Sequence, residues 1–189
     1  VPAPLHREMA KFFDLPYSGI HIGRGSVANI TPEARETVRR LQEANAGPRG
    51  WKPGEGWEQV PGFYLTEPRQ VIIGDGHAHG SLSMAVHEFA HAVDDMLAKI
   101  SSSQRWYDAS GYAVGASRHP YFNFRVNPNG FWSEAFAESF AAWAKATQAG
   151  KNAEEAIADA LDISDFTRSL AEVRQSLQNI VAFFEEVTK

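Results

Sequence analysis

The chain has 189 residues, 43% hydrophobic and 22% charged, enough to bury a sizeable core in one domain without a disulfide or structural metal. Its net charge of −5, with lysines and arginines adjacent only at Arg39-Arg40, speaks against nucleic acid or an anionic membrane as partner. Cysteine is absent, which excludes thiolate metal sites, disulfides and cysteine nucleophiles, and no apolar run approaches the roughly 20 residues that span a bilayer.

The chain opens Val1-Pro2-Ala3-Pro4 without a charged segment followed by an apolar one, so no signal peptide is visible; an exported protein would appear here as its mature form or a fragment. Residues 5–14 read as a short helix ended by Pro16, and the alternation of Ile20 and Ile22 around His21 predicts a short strand over 18–23. Thr31-Pro32 is a strong helix start, and that helix should reach about Asn45 before Gly47-Pro48 stops it. Five glycines and three prolines make residues 47–62 loop-like around Trp51 and Trp57. Two β-rich runs follow, near 63–66 and 70–73, ended by Gly74-Asp75-Gly76.

From Ser81 to Ile100 the apolar residues Leu82, Ala85, Val86, Phe89, Val93 and Leu97 recur at helical spacing. A short helix is expected near 104–109, then an irregular stretch to Gly130. A long helix spans about 131–149, and Asn152 with Glu155 marks the start of another. The remainder reads as helix, with Leu170, Val173, Leu177, Ile180, Val181 and Phe184 as one core-packing stripe. The predicted class is α+β and mostly helical. One domain over 1–189 would have a β-containing N-terminal lobe (about 1–80), an active-site helix (81–100) and an all-helical C-terminal lobe (101–189), flanking a cleft.

The chemistry concentrates in His87-Glu88-Phe89-Ala90-His91, inside the predicted helix. Residues four apart lie one turn above each other, so both imidazoles can reach one ion from one face, with Glu88 beside it as a base for bound water. A catalytic zinc takes three protein ligands and keeps one position open. Ser133-Glu134-Ala135-Phe136-Ala137-Glu138 sets two carboxylates four apart on another helix in dense apolar context, where a buried carboxylate needs a partner or a metal. Spacing alone does not choose between Glu134 and Glu138. Asp94 or Asp95 could orient a ligand imidazole. His77 and His79 fit a loop near the cleft rim rather than coordination.

The string from His87 to Asp95, together with Glu134 to Phe140, resembles the catalytic domain of anthrax lethal factor and its relatives, a gluzincin-like fold. Pro48-Arg49-Gly50-Trp51, Gly56-Trp57 and Val60-Pro61-Gly62 look like the segment upstream of the zinc helix in secreted bacterial Pro-Pro endopeptidases. The resemblance covers roughly residues 47–140. It implies one Zn2+ per chain on His87, His91 and Glu134, with Glu88 as catalytic base and Glu138 as a supporting residue. Trp51 would pack on substrate prolines, with Arg49 where the best-known members have lysine. Those members carry a tyrosine seven residues before the ligand glutamate, where this chain has Asn127; Tyr121 is the replacement candidate for holding the oxyanion, with Tyr112 behind it and His119 as a substitute. The Tyr64–Gln70 region also differs from the family's substrate loop.

Three functions follow as expectations. One is a secreted, monomeric zinc endopeptidase acting on proline-rich peptide or protein substrates. Another is a toxin protease domain acting on a host or competitor protein, and the last is a relative that binds peptide or zinc without catalysis.

Overall fold

A computed structural model describes residues 2–48, 56–75, 83–122, 130–163 and 171–189. The class is α+β and mostly helical, as the periodicities predict. Among the described residues the helices are α1 (Ala3–Phe12), α2 (Pro32–Glu43), α3 (Met84–Met96), α4 (Gln104–Ala116), α5 (Phe131–Gln148), α6 (Ala153–Ala160) and α7 (Ala171–Val187). The strands β1 (Gly19–Gly23), β2 (Gly62–Leu65) and β3 (Gln70–Gly74) all precede α3.

The sheet runs β1-β3-β2, with β1 parallel and β2 antiparallel to β3. Its central strand Gln70-Val71-Ile72-Ile73-Gly74 is buried throughout, which is why it reads as an unbroken apolar run. Val71 and Ile73 face the main core with α1 and α3. Ile72 faces a smaller core of Val27, Ala34, Val60 and Leu65, beneath α2. Gln70, 1% exposed, joins the two halves of this region. It accepts from Thr31 Oγ1 at 2.9 Å and donates to the Tyr17 carbonyl at 2.6 Å and to Glu33 at 3.2 Å. Thr31 also caps α2, accepting from the Ala34 amide, ahead of Pro32 in the first turn. The Arg39-Arg40 pair is taken up by Glu36 and Glu43 on the same helix.

The sequence-based expectation of a short helix at 104–109 followed by irregular chain is corrected. α4 continues to Ala116, carrying Gly111 and Gly115 within it, because Trp106, Ala109, Ser110, Ala113 and Val114 form a buried stripe, with α4 packed on α7. Packing of that stripe outweighs the helix cost of the glycines, ~1 kcal/mol each. The Ser176 hydroxyl of α7 donates to the Ala109 carbonyl and accepts from the Ala113 amide, the pair that bond each other in an uninterrupted helix. Beyond it, Trp106 packs on Phe136, Phe183 and Phe184 with ring centroids 5.2–5.8 Å apart. α3 stops at Met96, short of the expected Ile100. Ala98 and Lys99 take left-handed conformations, and the Asp94 carboxylate accepts from the amide and hydroxyl of Ser101. Asn152 Oδ1 caps α6 through the Glu155 amide.

Candidate metal centre

α3 packs directly on α5, and the polar cluster lies at that contact. His87 and His91 stack one turn apart on α3, ring centroids 4.9 Å apart and planes at 81°. Glu134 stands in the first turn of α5, where the helix dipole favours an anion. Its Oε2 lies 3.2 Å from His87 Nε2 and 3.5 Å from His91 Nε2. One donor atom from each of these residues lies within 4.8 Å of the others, and among the described residues this is the one such group of three.

Glu138, one turn along α5, approaches from the other side of the ring, its Oε2 2.8 Å from His87 Nδ1. A carboxylate there holds the Nδ1 proton and leaves Nε2 turned toward Glu134. Spacing could not choose between the two glutamates; the geometry gives them different positions. Glu134 faces both imidazoles, and Glu138 holds one of them from behind. Asp94 and Asp95 both have partners of their own: the Asp94 oxygens accept from Ser101, while Asp95 accepts from Tyr64 Oη at 2.7 Å and pairs with Lys99 at 2.8 Å.

His87, Glu88, Glu134 and Glu138 are all buried. Burial pushes the Glu88 carboxyl up, with His91 and His87 opposing and Glu134 reinforcing. Burial alone would depress His87, but its bonds to Glu134 and Glu138 and the field of Glu88 win, and its pKa rises to about 10. Glu134 is likewise penalised by burial, yet the two histidines drive its carboxyl well below the usual range. The imidazoles and carboxylates thus favour one another's charged forms in a buried setting. The donor set fits zinc: two imidazole nitrogens and a carboxylate oxygen converge, and a second carboxylate supports one ring.

The cluster opens into a cavity of about 840 Å³. Its walls include Gly62, Phe63 and Tyr64 of β2, Trp57, and His119, Tyr121 and Phe122 on the short turn Pro120–Phe122. Tyr121 therefore shares the cavity with the cluster, and so does His119. Tyr112 instead stands exposed on α4. Arg49, Trp51, His77, His79 and Asn127 lie outside the described residues. Two features escaped sequence reading. The Tyr64–Asp95–Lys99 chain carried only a weak signal, a tyrosine in a β-rich run. Asp159 and Asp162 at the end of α6 line the cavity with no local pattern to announce them.

The family model for anthrax toxin lethal factor, N- and C-terminal domain, matches residues 27–156, more than half of the chain. The chain belongs to this family. Lethal factor-like proteins are zinc metalloproteases, and the match contains the whole of α3 and α5 and every residue of the His87–His91–Glu134 group. No curated protein matches the chain. Among the described residues no helix is long and apolar enough to cross a membrane.

Proposed function

We propose that this protein is a zinc endopeptidase, a single metallopeptidase domain that cuts proline-rich segments, Pro-Pro sequences among them, in a protein outside the cell. The observation that carries this reading is the convergence of His87, His91 and Glu134 beside the buried Glu88 at the floor of a large open cavity. Bound by those three residues, zinc would supply an acidified water and polarise the scissile carbonyl.

The chain's own residues do the rest. Glu88 accepts a proton from the attacking water and returns it to the leaving amine. Glu138 holds His87 Nδ1, so the ring presents Nε2 in a fixed orientation. Tyr121 donates its phenolic hydrogen to the carbonyl oxygen as that oxygen gains charge. A bond preceding proline is a tertiary amide without an N–H, so recognition must come from shape and aromatic contact. Trp57, Phe63, Tyr64 and Phe122 supply such surface in the cavity wall, with Trp51 and Arg49 assigned to the same task by resemblance.

A panel of zinc-loaded protein against peptides with and without Pro-Pro, with E88A as control, tests the reading. Turnover confined to Pro-Pro peptides and lost in E88A is expected; equal turnover by both proteins would refute it. The family match itself favours a second reading, a toxin protease domain directed at a host or competitor protein. Cleavage of unrelated sequences, with Pro-Pro peptides left intact, would select that alternative.

A further inference from the structure

Gly62 begins β2 at a point where the strand has no room to move away from the sheet. It pairs in register with Ile73, and the neighbouring Pro61 carbonyl accepts from the Gly74 amide at 2.8 Å. On its other side β2 packs against α3. A Cβ added to Gly62 would come 2.9 Å from Met84 Sδ, 3.0 Å from Met84 Cγ and 3.0 Å from Glu88 Cγ. Carbon atoms rest about 3.5–4.0 Å apart. Among the described residues the positive-φ glycines are Gly19, Gly25 and Gly150; Gly62 is not one of them, so space rather than backbone conformation requires glycine here.

The two neighbours differ in how they can yield. Met84 is partly buried and flexible, and can swing aside. Glu88 is buried, and the close atom belongs to the stem of its side chain rather than the tip. We infer that Gly62 is a positioning residue for Glu88, its bare backbone forming the wall that sets where the Glu88 carboxylate stands beside His87, His91 and Glu134. This rests on the proposal that Glu88 is the base of a metal-dependent peptidase. A methyl at residue 62 moves the Glu88 stem by a fraction of an ångström, and sub-ångström tolerances govern such groups.

The test compares wild type, G62A and the double variant G62A/M84A, each with zinc for kinetics and with Co2+ for its visible absorption spectrum. In G62A, kcat should fall about tenfold with KM within about twofold, since a displacement of ~1 Å can cost about 10²-fold. Metal stoichiometry should stay at one per chain, and the cobalt spectrum should shift. In G62A/M84A the contact with Met84 is gone but the contact with the Glu88 stem remains, so kcat and spectrum should stay as in G62A. A G62A protein with wild-type spectrum and kcat overturns the inference. So does recovery of kcat and spectrum in G62A/M84A, which would assign the effect to Met84, or a loss in G62A that accompanies metal loss or unfolding. Should wild type bind cobalt yet hydrolyse no peptide, the peptidase reading falls while the G62A spectrum still decides the role of Gly62; a protein that takes up no cobalt sinks both.

Discussion

Replacing Glu138 asks whether the carboxylate behind His87 supports a metal or is merely buried beside it. Its Oε2 is 2.8 Å from His87 Nδ1, and both side chains are about nine-tenths buried, so water screens the contact little. Losing such an outer partner of a ligand imidazole costs about 10–100-fold in metal affinity, or about 1.4–2.7 kcal/mol. E138A should therefore weaken zinc binding by that factor in a competition titration against a chromophoric chelator. E138Q keeps a carbonyl oxygen that accepts from Nδ1–H but loses the charge, and charge-assisted bonds are about twice as strong as neutral ones. Its loss should fall between wild type and E138A, nearer about tenfold. E134A removes a direct donor and should weaken binding more than either. Zinc held by E138A as tightly as by wild type, or more weakly by E138Q than by E138A, would refute the assignment of Glu138 to His87.

Three further outcomes are expected. E88Q should retain one zinc per chain by elemental analysis while kcat falls by about 10²–10⁴-fold, the usual worth of a general base; loss of metal instead would make Glu88 structural. Y121F should lower kcat by about 10²-fold with little change in KM if the phenol meets the developing oxyanion, and wild-type kinetics would make Tyr121 a wall residue only. W106A, emptying a fully buried site among Phe136, Phe183 and Phe184, should cost about 3–5 kcal/mol, roughly 6–20 °C in Tm by calorimetry. W106F should cost far less, because the indole N–H is buried without a hydrogen-bond partner.

What could be read in advance, and what could not, follows from the range of the forces involved. α2, α3, α5 and α6 were visible because their caps and apolar spacing are local: Thr31-Pro32, the stripe through Val93, and Asn152 with Glu155 act within a turn or two. Strand β3 was visible because Val71, Ile72 and Ile73 are apolar on both sheet faces, and β1 through the alternation of Ile20 and Ile22, which are exposed in the fold. The true length of α4 was not, because Gly111 reads as a breaker until the α7 surface that offsets its cost is known. At the site, His87 and His91 needed only helix geometry. The separate positions of Glu134 and Glu138 depend on where α5 lies across α3, and the link of Asp94 to Ser101 belongs to a turn that periodicity cannot foresee.

One pattern joins fold and site more closely than the motif does. The buried positions of α3 and α5, two helices in direct contact, are rich in alanine: Ala90, Ala92, Ala135, Ala137, Ala141 and Ala142 are all at most 1% exposed. Small residues let helices approach toward the near end of the usual 8–10 Å range. A glutamate on α5 can then reach imidazoles on α3 without help from a loop. Larger side chains there would hold the axes apart, and the Glu134 carboxylate would fall short of one nitrogen or both. The clustering of these groups also explains how four polar residues are tolerated in a core: the two histidines and the glutamates lie within reach of one another, so the desolvation that penalises one group is offset by the next. An A137L substitution, adding bulk to α5 between the two glutamates, should therefore weaken zinc binding even though Ala137 offers no ligand atom. Overpacking of this kind costs about 1–3 kcal/mol. If zinc affinity were unchanged while Tm fell, the helix approach would matter for folding alone, and the donor set would have to be held by the side chains' own rotamers.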